Sequence, residues 1–225
     1  MKQNFIYDFP DPNTAPNLQP LCMGGDFSSE CLLSAYSKGI FPWMQENDTI
    51  FWFSPNPRAV LFPKDVKIQK SIKPFLNRYE VKFDNDFEKF INFCKNVRES
   101  RFEETWISKD FVKAYANLAN LGIAHSVEVF ENDELIGGLY GLILGKVFCG
   151  ESMISVKTNA SKVALIRLCE VLGKFEFMID CQVMNEHLKF MGAKAMKRAE
   201  FLNLFYKLSQ INSGFDDFKG LNERF

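Results

Sequence analysis

Residues 178–183, with the sequence MIDCQV, place two polar side chains in an otherwise apolar run. This composition predicts a central strand. Because strand side chains alternate between two faces, Asp180 and Gln182 are expected on the same face. A buried carboxylate destabilises a fold unless a partner compensates its charge. Asp180 therefore either pairs with an internal basic residue or lines a cavity that receives a cation from outside.

A second acid lies in a similar setting. Glu151 stands within the apolar sequence VFCGESMIS, and strand alternation puts Met153 on its face. Two carboxylates in apolar strands favour one shared cavity, where a basic group of another molecule would form charge-assisted hydrogen bonds worth about 1.5–3 kcal/mol each. Gln182 does not titrate, so its expected role is to orient a substrate.

Apolar side chains near these acids are candidates for the lining of a pocket that holds a flexible hydrophobic group, to which methionine adapts well. The candidates are Leu139, Phe148, Met153, Leu165 and Met178. The alternative for each of them is an ordinary core position.

Three tryptophans lie within three residues of a proline or threonine, where loops are expected: Trp43, Trp52 and Trp106. A ring in such a place stacks on a nucleobase with a gain of about 1–3 kcal/mol. The alternative is that these rings clamp two domains together.

Basic residues recur at about three-residue spacing in one segment, at Lys64, Lys67, Lys70, Lys73 and Arg78. We predict a helix over residues 65–78 that presents several of them on one face. Such a face is either a solvated surface or a patch that contacts phosphates.

Composition narrows the class of protein. The chain has 225 residues, 47% hydrophobic and 24% charged, which is typical of a globular protein with a sizeable core. The net charge of −1 means that any nucleic-acid site must be a local patch. The six cysteines show no CxxC spacing, and no signal or membrane-spanning segment is recognisable, so we expect a cytoplasmic protein without a zinc site.

The order of elements predicts an α+β fold. From residue 124 onward the expected order is strand, strand, strand, helix, strand, helix, which gives a mixed sheet with helices on its faces. We expect a small N-terminal α/β domain over residues 1–57 and an acyl-CoA N-acyltransferase-like catalytic domain over residues 58–225. The prolines among residues 40–63 predict two short edge strands, and residues 211–225 are expected to be a loosely held tail.

A series of motifs stands in order along residues 24 to about 205: GGDFS, AYSKGIFPW, SPNPRAVL, ETWI, HSVEV, ELIGGLYG, FCGESM, NASKVAL and IDCQVMNEHLKFMGA. By these motifs the chain resembles the leucyl/phenylalanyl-tRNA–protein transferases of bacteria. The resemblance implies an enzyme that moves Leu, Phe or Met from aminoacyl-tRNA to the α-amine of a protein beginning with Arg or Lys, which marks that protein for N-end-rule degradation. It implies no metal or small cofactor, and we expect a monomer.

The resemblance also implies residue roles. Asp180 and Gln182 match the catalytic pair, and Glu151 matches an acid near the point where the peptide enters. The residues that match the pocket for the aminoacyl side chain are Met153, Phe148, Leu139 and Leu165. Those that match the aromatic residues holding the terminal adenosine are Trp43 and Trp106. The basic segment, with Lys67, Lys70, Lys73 and Arg78, matches the part that meets the tRNA acceptor end. Leu139 departs from the methionine that is common there, which bears on the shape of the pocket.

Two catalytic schemes are compatible with these residue types. An aminoacyl ester is already activated, so positioning alone supplies about 7–11 kcal/mol of the barrier. In one scheme Asp180 holds Gln182, whose carbonyl oxygen draws the proton of the attacking amine. In the other, the substrate assists itself and Asp180 binds the basic chain end.

Two other functions compete with this interpretation. A CoA-dependent N-acetyltransferase would carry a glycine-rich loop before the helix that follows the fourth strand, to cradle the pyrophosphate. The corresponding sequence is SVKTNASKVAL, which has no glycine. A non-catalytic RNA- or peptide-binding module would keep the tryptophans and the basic segment but would not transfer leucine from tRNA to a peptide that begins with Arg.

We expect the affinity for tRNA to fall strongly as salt is added, because contacts between basic side chains and phosphates release counterions. Titrations of tRNA at increasing KCl concentration measure this dependence. An affinity that does not change with salt would contradict the role given to the basic segment.

Overall fold

The computed structural model describes residues 7–46, 48–101, 107–214 and 218–224. Its strands are β1 (Cys22–Met23), β2 (Phe41–Glu46), β3 (Thr49–Phe53), β4 (Arg58–Leu61), β5 (Glu80–Phe83), β6 (Ala124–Glu131), β7 (Glu134–Leu144), β8 (Val147–Ser155), β9 (Met178–Gln182) and β10 (Lys194–Met196). An antiparallel sheet has the order β1-β3-β2, and a larger mixed sheet has the order β10-β4-β9-β8-β7-β6-β5. The predicted α+β class, with a small N-terminal sheet and a C-terminal mixed sheet, is confirmed.

Several of the helices begin after a residue whose side chain caps the first turn. The helices are α1 (Ser29–Ser37), α2 (Lys73–Arg78), α3 (Phe87–Ser100), α4 (Lys109–Asn120), α5 (Ala160–Leu172), α6 (Glu186–Met191) and α7 (Arg198–Ser209). The side chains of Ser28, Asp86, Ser108 and Asn185 each accept a hydrogen bond from the backbone N–H three residues later. These bonds satisfy N–H groups that the first turn of a helix leaves free. None of the helices in the described ranges has the length and apolar character needed to cross a bilayer.

Two apolar clusters cover the faces of the mixed sheet. One contains most of α5 together with Leu61, Leu139 and Phe148. The other holds buried residues of α1, α3, α4 and α7. Phe41 and Trp52 of the small sheet belong to this second cluster, so the small sheet packs directly on the large one. Trp52 is 1% exposed, which agrees with the clamp interpretation and leaves no face of the ring for a base.

The central strands β8 and β9 run parallel and then separate. They pair only at residues 147–149 of β8 and 178–180 of β9, although β8 continues to Ser155. Beyond these residues β8 remains paired with β7 and β9 with β4, but β8 and β9 no longer pair with each other. The separation opens a gap in the middle of the sheet, next to Glu151 and Gln182.

The predicted basic helix over residues 65–78 is wrong for most of its length. The helix is α2, which starts at Lys73 with a proline in its first turn. Proline has no backbone N–H and its ring clashes with the preceding helical turn, so it is tolerated in the first turn of a helix but not in its interior. Residues 66–69 instead form an irregular connection, in which the Lys67 N–H donates to the carbonyl oxygen of Met191.

The prediction of two edge strands among residues 40–63 is also wrong. Three strands lie there, and β4 lies between β10 and β9 inside the mixed sheet. No proline falls within Arg58–Leu61 itself, so each residue remains able to pair, and all four are buried.

The C-terminal tail is more firmly attached than predicted. Phe218 and Leu221 are 3% and 4% exposed. The ring of Phe218 packs edge-to-face on Phe83, with centroids 5.2 Å apart, and lies 4.6 Å from the ring of His125. This part of the tail therefore belongs to the core.

We expect Phe218→Ala to lower the free energy of unfolding by about 3 kcal/mol, because it removes a buried ring and leaves a cavity. Denaturant unfolding measures the change. Ile211→Ala, at a position 44% exposed in the same segment, serves as the control and should change the value by less than about 0.5 kcal/mol. Equal effects of the two substitutions would contradict the packing of the tail.

Candidate functional site

A cavity of about 620 Å³ lies at the separation of β8 and β9. Its apolar wall contains Leu139, Phe148, Met153, Leu165, Leu168, Ile179 and Leu188. Its polar wall contains Arg98, Glu151, Ser152, Ser161, Gln182, Asn185 and His187. We call these two sets of lining residues the apolar lobe and the polar lobe; sites that bind a substrate with both kinds of group combine them in this way.

A β-bulge at Glu151 brings the apolar lining together. Tyr140 pairs with Ser152 and Gly141 with Gly150, which leaves Glu151 as the extra residue in β8. The bulge reverses the alternation of side chains, so Phe148 and Met153 reach the same side of the sheet. Simple alternation, which we used to put Glu151 and Met153 on one face, does not hold across this bulge.

Asp180 has an internal cationic partner. Arg58 of β4 donates from Nε to Oδ1 at 2.7 Å and from Nη2 to Oδ2 at 2.6 Å. Asp180 is 1% exposed and does not line the cavity. The first of our two alternatives is therefore correct, and the idea that Asp180 receives a cation from outside is wrong, because Arg58 already occupies both carboxylate oxygens.

The Arg58 guanidinium lies between two aromatic rings. Its Cζ is 4.7 Å from the ring centroid of Phe41 in β2 and 4.6 Å from that of Phe201 in α7. The ion pair thus connects β2, β4, β9 and α7. Cation–π contacts of this kind compensate part of the cost of removing the guanidinium from water.

Gln182 stands at a strained bend that directs its side chain to the cavity. A register shift between Ala59 and Val60 of β4 leaves Cys181 opposite no single partner, and Gln182 has a φ of 62°. This left-handed conformation costs about 1–3 kcal/mol for a residue other than glycine. The Gln182 N–H donates to Asp180 Oδ1 at 3.0 Å, which holds the bend in place. The expectation that Asp180 and Gln182 share a face therefore fails at this bend.

The side chains of Gln182 and Glu151 are hydrogen-bonded. Gln182 Nε2 donates to Glu151 Oε1 at 2.9 Å, so the amide oxygen is the end that remains to accept a bond from a substrate. The Tyr115 hydroxyl donates to Glu151 Oε2 at 3.2 Å. Burial raises the pKa of Glu151 to about 7, against the opposing effect of the Tyr36 and Tyr115 hydroxyls.

The other predicted residues are placed as follows. Trp43 is half-buried, lines the cavity and packs edge-to-face on Phe53. Met178 is 0% exposed in the core and does not line the cavity. Trp106 lies outside the described residues. Lys67, Lys70 and Lys73 are exposed, whereas Arg78, also exposed, is ion-paired with Glu131 and contacts the ring of Tyr79.

Sequence reasoning missed several residues of the site. Tyr36 and Tyr115 come from helices far away in the chain, and nothing in their local sequence indicates a polar role. His187 also lies in the cavity wall, where burial, and to a smaller extent the charge of Lys162, lowers its pKa. Arg58 did leave a signal: it is a single charge before the apolar run AVLF, the counterpart of Asp180 in its own apolar strand.

Comparison with known proteins gives a consistent result. The family model described as leucyl/phenylalanyl-tRNA protein transferase matches residues 60–206, and the model of its N-terminal domain matches residues 25–56. A leucyl/phenylalanyl-tRNA–protein transferase of Campylobacter lari is 49% identical over 92% of this chain and 94% of its own length. The enzyme of the same name from Aliivibrio fischeri is 50% identical over 89% of this chain and 85% of its own length.

A search of solved structures finds more distant similarity. An aminoglycoside acetyltransferase from an uncultured soil metagenomic sample aligns with 49% of this chain and 80% of its own, at 12% identity and a TM-score of 0.39. A similarity at this level carries no conclusion about activity.

We expect Arg58→Met to lower the free energy of unfolding by about 3–5 kcal/mol, because it leaves the Asp180 carboxylate buried without a cationic partner. Arg58→Met/Asp180→Val removes both charges and should therefore be less destabilised than Arg58→Met alone. Denaturant unfolding of the two variants and of Asp180→Val completes a double-mutant cycle. Additive losses would show that the two side chains are not coupled.

Proposed function

This chain belongs to the leucyl/phenylalanyl-tRNA–protein transferase family, and from that membership we infer that it transfers leucine or phenylalanine from aminoacyl-tRNA to the α-amine of proteins that begin with Arg or Lys. It is an aminoacyltransferase, and its products enter the N-end-rule degradation pathway. A cytoplasmic location is part of this proposal, because the enzyme needs access to aminoacyl-tRNA. Methionine is a further substrate in this proposal.

The apolar lobe of the cavity is the proposed site for the transferred side chain. Leu139, Phe148 and Leu165 are each no more than 2% exposed and present only hydrocarbon to the cavity. Met153 adds a flexible thioether that adapts to branched, linear and aromatic groups. A methylene contributes only about 0.8 kcal/mol on burial, so such a pocket separates Leu, Met and Phe poorly but rejects charged side chains.

The polar lobe is the proposed site of the chemistry. The amide oxygen of Gln182 accepts a hydrogen bond from the attacking amine and orients its lone pair toward the ester carbonyl. Asp180 acts through the backbone: it holds the N–H of Gln182 and, with Arg58, fixes the bend from which the amide projects. Asp180 thus positions Gln182, and Glu151 lies at the boundary between the acceptor amine and the aminoacyl group.

The tRNA is proposed to approach over Trp43 and the exposed lysines. Trp43 lies at the cavity, where its ring is available to the terminal adenosine, and Trp106 is assigned the same role by family resemblance. Lys67 is joined through its backbone to the last residue of α6, the helix whose first turn lines the cavity. Lys67, Lys70, Lys73 and Arg78 contact the phosphates of the acceptor end in this proposal, and the enzyme acts as a monomer.

The bond between Gln182 and Glu151 inside the cavity is the observation that carries this proposal, and a transfer assay tests it. The expected result for the wild-type protein is movement of labelled leucine from tRNA to a peptide that begins with Arg, but not to a matched peptide that begins with Gly. Gln182→Ala should lower kcat by about 100-fold at saturating peptide, because the amine loses its acceptor.

Gln210→Ala, an exposed amide on the C-terminal side of α7, is the matched control and should retain wild-type kcat. A rise of KM alone in Gln182→Ala would restrict Gln182 to binding and contradict its catalytic role. Absence of transfer by the wild-type protein would contradict the proposed function as a whole.

A further inference from the structure

A chain of hydrogen bonds runs from the N-terminal part of the molecule to the cavity wall. The hydroxyl oxygens of Tyr36 in α1 and Tyr115 in α4 lie 2.5 Å apart, and Tyr115 donates in turn to Glu151. Glu151 accepts a further bond from Gln182 Nε2. Tyr36 is 2% exposed, Tyr115 0% and Glu151 9%, so only the carboxyl end of the chain reaches the cavity.

Burial determines where a proton resides along this chain. It raises the pKa of both tyrosine hydroxyls, so Tyr36 and Tyr115 stay protonated and remain donors. It also raises the pKa of the Glu151 carboxyl group to about 7. A group that is half-ionised near neutral pH both accepts and releases protons efficiently under those conditions.

The transfer reaction needs such a group. An α-amine has a pKa of about 7.7–8.0, so at neutral pH the acceptor arrives mainly as an ammonium ion that cannot attack an ester. The amide of Gln182 does not take up a proton. Both oxygens of Asp180 are bonded to Arg58 behind the cavity wall.

We propose that Glu151 receives the proton that the acceptor ammonium loses, and that Tyr36 and Tyr115 are positioning residues that hold its carboxylate for this step. The proposal rests on the transferase function given above. The ammonium gives one proton to the Glu151 carboxylate, and the neutral amine then attacks the ester carbonyl carbon. The C–N bond forms, the C–O bond to the ribose breaks, and the second amine proton passes to the leaving ribose oxygen.

Other charged or titratable groups interact with Glu151 or its neighbours or share its cavity. They are Tyr36 (α1), Arg58 (β4), Arg98 (α3), Tyr115 (α4), Tyr140 (β7), Cys149 (β8), Asp180 (β9) and His187 (α6). Burial holds Tyr140 and Cys149 in their neutral forms by raising the pKa of each. His187 is thus the alternative base in the cavity wall.

Tyr115→Phe gives a test with a defined sign. The Tyr115 hydroxyl stabilises the ionised carboxylate, so its removal raises the pKa of Glu151 and moves the acid limb of the kcat/KM profile up by about one pH unit. The ratio of wild-type to variant kcat/KM should be about tenfold at about pH 6 and close to one at about pH 9. Tyr206→Phe, a half-exposed hydroxyl on α7, is the control and should give a ratio near one throughout.

A second measurement does not depend on transfer. Titration of carbon-13-labelled glutamate carboxyls by NMR, with Glu151→Gln to assign the signal, should show the pKa of Glu151 higher in Tyr115→Phe than in the wild type. In the transfer assay, Glu151→Gln should lose the acid limb and about 100-fold or more in kcat.

The possible outcomes distinguish a failure of this proposal from a failure of the transferase function on which it rests. A wild-type protein that transfers leucine, together with a ratio that is the same at every pH, would overturn the role of the tyrosines. An acid limb that persists in Glu151→Gln but vanishes in His187→Gln would assign the proton to His187 and overturn the role of Glu151. A wild-type protein that transfers nothing would overturn both the function and this step.

Discussion

The buried ion pair between Arg58 and Asp180 is the constraint on which the site depends. Two hydrogen bonds join the side chains, and the rings of Phe41 and Phe201 cover the guanidinium. Removing two charges from water is expensive, and an apolar pair of the same volume is often at least as stable. The pair is therefore better explained by the geometry it imposes than by a gain in stability. It fixes the Asp180 carboxylate, which accepts the hydrogen bond from the backbone N–H of Gln182 at the strained bend.

Irregular backbone creates the site on both sides of the gap. A bulge at Glu151 in β8 and a bend at Gln182 in β9 interrupt neighbouring strands just beyond the last residues that pair. Each irregularity turns one polar side chain toward the gap, and the two side chains then bond to each other. The bulge also turns Met153 to the side of Phe148, so the composition of the cavity lining follows from where the regular pairing stops.

Much of the fold was predictable because local signals determine it. The caps at Ser28, Asp86 and Ser108 and the apolar periodicity of the helices act over a few residues. Much of the pocket lining followed from family resemblance: Leu139, Phe148, Met153 and Leu165 do line one cavity. The partner of Asp180 was not predictable, because Arg58 is 122 residues away in the chain. The bulges were also missed, since strand alternation carries no information about where it breaks. The prediction of a basic helix over residues 65–78 was wrong because a proline in this segment limits the helix to its last six residues, whatever the spacing of the charges. The roles of the site residues and the division near residue 57 remain predictions.

The shared apolar cluster has a consequence for how this architecture evolves. Phe41 and Trp52 of the small sheet share their core with Tyr140 and Met178 of the large one. The two sheets therefore share one apolar core, although the two family models meet between them. Grafting the N-terminal portion from a distant homologue would leave mismatched cavities along that seam. It would also disturb Tyr36, which is hydrogen-bonded to Tyr115, and Phe41, whose ring covers the Arg58 guanidinium. We therefore expect compensated substitutions on both sides of the seam to be tolerated better than an exchange of the whole N-terminal portion.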